Sequence, residues 1–136
     1  MLPTKEIAAT ARRCLDAWEA GRVDDLLAHY TEDVVYSDTR TKGKIQGKPA
    51  LRRYLGKLLG RYDLKFFLVE GHRIEGHDGE SMLWECVYRR RLPGGGLSNT
   101  IVQQRGISLC MVDGDQVKRH EAFIDLSVLD KLENAQ

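Results

Sequence analysis

The first half of the chain carries apolar residues at helical spacing. Between Ile7 and Trp18 they recur every three to four positions, which predicts a first helix from a Thr4 cap to a Gly21 stop. A second, short helix is predicted between Asp24 and Tyr30. The chain therefore begins with two helices joined by a tight turn.

A short strand and a third helix follow. Residues 34–36 are β-branched or aromatic, and residues 38–47 form a polar, glycine-bearing loop. Pro49 suits the first turn of a helix, and an apolar stripe continues at helical spacing until Gly60.

The second half of the chain changes to a two-residue period, which is typical of strands. Four strands are predicted, at about residues 64–74, 81–91, 99–112 and 116–125. Turn sequences separate them, at residues 76–79, 93–96 and 113–115. Hairpin-length connections predict an antiparallel sheet, and its long strands should twist and curl. We expect an α+β fold in which the helices pack in the concavity of a curved antiparallel sheet.

Composition limits the class of protein. A chain of 136 residues fits a single domain spanning 1–136, and its net charge of +1 provides no field to attract nucleic acid or a membrane. Cys14, Cys86 and Cys110 are far apart and lie in apolar patterns, so we expect buried free thiols. With no apolar run long enough to cross a bilayer, the expectation is a soluble, cytoplasmic protein.

Several segments resemble one known superfamily. They are residues 18–21, 26–38, 45–47, 113–115 and 121–125. In them the chain resembles the nuclear transport factor 2-like superfamily (cystatin-like fold), in its SnoaL-like and ketosteroid-isomerase-like branch. The resemblance implies a cone-shaped pocket for a small hydrophobic molecule and a homodimer formed through the sheet. It specifies function poorly, because the fold hosts isomerases, cyclases, hydrolases and non-enzymatic binding modules.

Asp38 ends the short strand and opens the loop. Ketosteroid isomerases carry a general-base aspartate after the same strand, so the resemblance implies that Asp38 moves a proton next to a carbonyl. The alternative is an aspartate that bonds the amides of its own loop. The oxyanion donors of that family are missing, since Cys14 and Ser108 stand at the corresponding positions. The epoxide-hydrolase mechanism is rejected because its charged residues are absent from the third and last strands.

His120 is the second candidate for acid/base chemistry, because the pKa of an imidazole lies near working pH. Alternation groups it with Ala122 and Ile124, and the resemblance implies that this face meets the pocket. The alternative is a histidine bonded for structural reasons. Glu121 and Asp125 share the opposite face, and Asp125 stays a secondary candidate because SnoaL-like cyclases use an acid late in the chain.

Large apolar and aromatic side chains are expected to form the pocket walls. They are Trp18, Tyr54, Trp84, Tyr88 and Ile124. The same residues would equally fill a closed core. Arg90 could meet a ligand carboxylate near the rim if it shares the pocket-facing side. No metal or cofactor motif occurs, so none is predicted.

The leading hypothesis is a small-molecule-binding protein, acting as a cofactor-free isomerase or cyclase on a hydrophobic carbonyl compound. In it, Asp38 is the base and His120 an acid. The competing hypothesis is a non-catalytic ligand-binding or dimerisation module.

Overall fold

The computed structural model describes residues 1–133. Its elements in chain order are α1 (Thr4–Ala20), α2 (Val23–Leu27), β1 (Tyr30–Asp38), β2 (Ile45–Gln46), α3 (Lys48–Arg61), β3 (Tyr62–Arg73), β4 (Gly79–Arg90), β5 (Val102–Asp113), β6 (Gln116–Phe123) and α4 (Leu126–Glu133). The predicted α+β fold is confirmed, and the last three residues of the predicted domain lie outside the described residues.

The six strands form one sheet in the order β2-β1-β6-β5-β4-β3. Strands β3 to β6 are an antiparallel meander, as the short turns predicted. The expectation of an entirely antiparallel sheet is wrong at β1, which runs parallel to β6 and places Tyr36 opposite His120. Hairpin lengths could not predict this pairing, because the two strands are separated by most of the chain.

Helix α1 packs against the concave face of the sheet and provides much of the core. Its buried stripe includes Ile7, Ala11, Cys14 and Trp18, which matches the predicted face. The helix ends at Gly21, whose φ of 75° suits glycine. Within residues 1–133, no helix is both long and apolar enough to cross a bilayer.

Three local expectations need correction. Thr4 is the first residue of α1 rather than its cap, since Pro3 occupies the cap position without a side-chain hydrogen bond. Strand β1 begins earlier than predicted, at Tyr30. Helix α4 was not predicted at all, although Leu129 and Leu132 give it a buried face.

The three cysteines are buried and unpaired, as predicted. Burial raises the pKa of the Cys14 thiol to about 12, so this thiol is an inert core group.

Candidate functional site

A cavity lies between α1 and the concave face of the sheet. Its volume is about 30 Å³, enough for one or two water molecules and far below the volume of a usual ligand pocket. The lining residues come from helices and strands on all sides: Leu15, Trp18, Tyr36, Arg40, Leu64, Phe66, Trp84, Tyr88, Ser108, His120, Ala122 and Ile124. The sequence left open whether the cone holds an open pocket or is filled by side chains. The structure is close to the filled case.

Four of the five predicted wall residues line this cavity, namely Trp18, Trp84, Tyr88 and Ile124. The strand alternation that grouped Trp84 with Tyr88 therefore placed both on the inner face. Tyr54 is outside the cavity lining, and its hydroxyl instead donates a hydrogen bond to Asp38 Oδ2. Ser108 lines the cavity and accepts a hydrogen bond from Trp84 Nε1 at 2.9 Å.

His120 is buried, with only 5% of its surface exposed, and it lines the cavity together with Ala122 and Ile124. Tyr30 Oη lies 2.7 Å from His120 Nδ1, and Trp18 Nε1 donates to the same Tyr30 oxygen at 2.9 Å. The Tyr30 oxygen accepts from the indole, and we assign the tautomer in which its proton goes to Nδ1 and the neutral ring is protonated at Nε2; the opposite tautomer, with Nδ1–H donating to Tyr30, has the same heavy-atom geometry. His120 Nε2 is buried without a protein hydrogen-bond partner in the described part of the chain.

Burial lowers the pKa of His120 to about 4, although the negative charge of Asp38 acts in the opposite direction. The imidazole is therefore neutral at pH 7. In the tautomer assigned above it presents an N–H donor that a ligand oxygen can accept.

The Asp38 carboxylate is completely buried and is held by five donors. Oδ1 accepts from the backbone N–H groups of Arg40 (2.7 Å) and Thr41 (3.1 Å). Oδ2 accepts from Tyr36 Oη (2.7 Å), from the Tyr54 hydroxyl and from Arg40 Nη2 (3.4 Å). The two bonds to Oδ1 are those of the loop-capping alternative, and Asp38 is not among the cavity-lining residues.

Arg40 is a site residue that sequence reasoning missed. Its side chain is 23% exposed, folds back towards Asp38 and lines the cavity. Nε and Nη1 are buried and have no hydrogen-bond partner among residues 1–133. Burial by itself lowers the pKa of Arg40, but Tyr54, Asp38 and Tyr36 more than offset this and raise the pKa above its ordinary value. A signal was present in the spacing Asp38-Thr39-Arg40, which puts an acid and a guanidinium on one side of a turn.

The remaining candidates lie away from the cavity. Cys14 is buried in the core outside the lining residues. Arg90 contacts the backbone oxygen of Glu133 at 3.5 Å and borders a different groove, so it does not reach the cavity rim. Asp125 is exposed and accepts from the backbone N–H of Ser127 at 3.0 Å, which makes it a cap for α4. Glu121 pairs with Arg119 on the outer side of β6.

Comparison with known proteins gives a consistent assignment. The model of the SnoaL-like domain family matches residues 11–120. No protein of curated function matches the chain.

Many solved structures share the fold. A presumed isomerase from Bacillus subtilis has a TM-score of 0.82 at 13% identity, covering 100% of this chain and 98% of its own. A presumed polyketide cyclase from Xanthomonas campestris pv. campestris has a TM-score of 0.76 at 16% identity, covering 94% and 96%. A ketosteroid isomerase-like protein from Erwinia carotovora has a TM-score of 0.65 at 16% identity, covering 87% and 92%. At these identities the similarity shows the fold alone.

Proposed function

Because the chain belongs to the SnoaL-like domain family, we propose that it binds a small hydrophobic carbonyl compound in the cavity beneath α1. The observation that carries this proposal is a set of buried nitrogens on the cavity wall, His120 Nε2 and the Nε and Nη1 of Arg40, for which residues 1–133 provide no hydrogen-bond partner. Unpaired buried donors are costly, and a ligand oxygen satisfies them. The apolar walls, which include Trp18, Trp84, Tyr88 and Ile124, suit the rest of such a molecule.

Ligand entry requires movement, because the cavity holds about 30 Å³. Four lining residues are partly exposed and mark the end of the cavity closest to solvent: Arg40, Phe66, Ala122 and Ile124. Phe66 packs edge-to-face on Trp84, with ring centroids 5.2 Å apart. We propose that rotation of this ring enlarges the cavity and admits the ligand.

For catalysis, we propose a cofactor-free proton transfer next to the carbonyl, as in an isomerase or cyclase. Neutral His120 donates from Nε2 to the carbonyl oxygen, and Arg40 stabilises the negative charge that develops there. Asp38 is the base in this scheme. It can take a proton only after the loop of residues 39–44 releases it from the amides of Arg40 and Thr41.

The second candidate function is non-catalytic ligand binding. It is favoured by the five donors that surround Asp38, since a carboxylate offers about four acceptor sites and here they are occupied. In this alternative Asp38 holds the loop and Arg40 in place, and no proton is transferred.

An experiment with a ketone that has exchangeable α protons can distinguish catalysis from binding alone. The chain has two tryptophans and both line the cavity, so the indole N–H signals of Trp18 and Trp84 report its occupancy. We expect 2-tetralone to shift both signals. Ala122→Leu, which fills the cavity mouth, should abolish the shift, and Ala9→Leu on the exposed side of α1 should not.

Catalysis is measured as deuterium incorporation into the α positions of 2-tetralone in D₂O. The enzymatic function predicts exchange above the spontaneous rate, which Asp38→Asn and His120→Gln both reduce. Binding without enzyme-dependent exchange supports the second candidate, and no binding contradicts both.

We also propose that the protein forms a homodimer through the outer face of its sheet. Leu83, Ile107 and Phe123 are neighbours across β4, β5 and β6, and the latter two are 45% and 53% exposed. A row of adjacent exposed apolar side chains on a sheet supports an interaction surface.

A further inference from the structure

Arg40 brings a positive charge to a cavity whose other walls are mostly apolar. A guanidinium has five N–H groups and accepts no hydrogen bonds. Here Nε and Nη1 are both buried and have no hydrogen-bond partner in the described part of the chain. Residues 1–133 therefore provide fewer hydrogen-bond acceptors than this guanidinium can use.

The contact between Asp38 and Arg40 is too long to be a strong ion pair. Their contact, from Nη2 to Oδ2, is 3.4 Å long, which exceeds the 2.7–2.9 Å usual for charge-assisted hydrogen bonds. Asp38 is already stabilised by two tyrosine hydroxyls and two backbone N–H groups. The guanidinium is thus positioned by Asp38 but retains the capacity to bind a second anion.

The rest of the cavity wall favours an anion as well. No Asp or Glu side chain is among the lining residues, and His120 Nε2 provides one more buried N–H without a protein partner in residues 1–133. A neutral ketone oxygen can accept from these donors but brings no negative charge to the guanidinium, whose contact with Asp38 is long. A carboxylate offers two oxygens and a negative charge, and charge-assisted bonds are about twice as strong as neutral ones.

We infer that the ligand of this cavity is an apolar carboxylic acid, bound as its carboxylate by Arg40 and His120. The inference rests on the binding part of the proposed function, because it requires a small molecule to enter the cavity, and it assigns His120 and Arg40 to a carboxylate rather than to the oxygen of a reacting ketone. The existing volume of about 30 Å³ suits the carboxylate group. The apolar part of the ligand extends towards the partly exposed end, past Phe66 and Ile124.

Three probes that share one bicyclic frame test the inference. They are 1,2,3,4-tetrahydro-2-naphthoate, its neutral carboxamide, and 2-tetralone. Dissociation constants are measured at pH 7 from the indole signals of Trp18 and Trp84. We expect the wild-type protein to bind the carboxylate at least about tenfold more tightly than the carboxamide.

The matched variants are Arg40→Gln, Arg40→Lys and Arg52→Gln. Arg52 lies on α3 with 57% of its side chain exposed, so its replacement should leave the preference for the carboxylate unchanged. Arg40→Gln should reduce the preference to within about twofold, and Arg40→Lys, which keeps the charge next to Asp38, should retain part of it. If Arg40→Gln does not fold, the wild-type preference and Arg40→Lys decide the question.

The outcomes separate this inference from the proposed function. Binding of 2-tetralone together with equal affinities for acid and amide overturns the inference and leaves the proposed function intact. A preference that survives in Arg40→Gln also overturns it. If none of the three probes shifts an indole signal, the proposed function fails and the inference fails with it.

Discussion

His120 and Asp38 are two buried titratable side chains with very different hydrogen-bond partners. Five donors surround the Asp38 carboxylate and replace the water that it loses on burial. The imidazole has no such compensation at Nε2, so burial keeps it neutral. With His120 neutral and Asp38 outside the lining residues, Arg40 is the charged group on the cavity wall in the described part of the chain.

The low pKa of His120 predicts a loss of stability in acid. The folded-state value is about 4 and the unfolded value 6.5, so the unfolded chain takes up a proton first as the pH falls. Stability is complete above pH 6.5 and decreases between pH 6.5 and 4, by at most about 3 kcal/mol. Urea unfolding of wild type and His120→Gln across this range measures it. Curves that stay parallel for the two proteins would contradict the prediction.

The tyrosines that donate to Asp38 should contribute unequally to stability. Tyr36 is 1% exposed, whereas Tyr54 is only partly buried and water can replace its hydroxyl. Removing a hydrogen bond to a charged group costs about 1.5–3 kcal/mol, and we expect Tyr36→Phe near the upper end and Tyr54→Phe near the lower. Chemical denaturation checks the order, and a Tyr36→Phe protein as stable as wild type would show that its hydroxyl does not stabilise Asp38.

At the scale of elements, the packing of β4 against β5 depends on one glycine, Gly106. Gly106 lies opposite Trp84, and a Cβ built at position 106 would overlap the indole ring. Because Gly106 has no side chain, the Trp84 ring can lie against β5 and form part of the cavity wall.

Gly106→Ala should destabilise the protein by about 1–3 kcal/mol, because the added methyl group forces the Trp84 ring to move. Gly56→Ala is the matched control, since position 56 lies within α3 and has no atom within 4 Å of an added Cβ. That control should be more stable by about 0.5–1 kcal/mol, because alanine favours helix. Thermal unfolding of both variants gives the comparison, and the same sign of change in both would refute the packing argument.

For the whole molecule, the convex face of the sheet carries apolar side chains that the helices do not cover. Ile107 and Phe123 face each other across β5 and β6 on this side. Residues of the same strands that face the other way, such as Ser108 and His120, line the cavity. One sheet therefore provides the cavity with one face and the proposed homodimer with the other.

Ile107→Glu should shift the protein from dimer to monomer, because it places a charge in the middle of the proposed interface. Ile101→Glu is the control, since Ile101 is 52% exposed but precedes β5 and lies outside the row. Light scattering coupled to size-exclusion chromatography measures the mass. The dimer proposal is wrong if wild type is monomeric or if Ile107→Glu remains dimeric.

Local patterns in the sequence determined the first three helices, the meander and the faces of its strands, but not helix α4. Alternation alone placed Trp84 with Tyr88, and His120 with Ile124, because side chains of a strand point to opposite sides in turn. Pro49 and Gly21 marked a helix start and a helix end for equally local reasons. These predictions need only a few neighbouring residues, so a single sequence contains them.

Tertiary structure alone decided the state of the site. The parallel pairing of β1 with β6 brings Tyr30 against His120, 90 residues away, and leaves His120 Nε2 as the ring nitrogen without a hydrogen-bond partner among residues 1–133. The turn after β1 directs Arg40 into the cavity and surrounds Asp38 with donors, including Tyr54 from α3. The cavity volume is the space that remains between helix α1 and the sheet after many side chains have packed, so it depends on all of them together. Each of these depends on contacts between distant segments, which no pattern of neighbouring residues specifies.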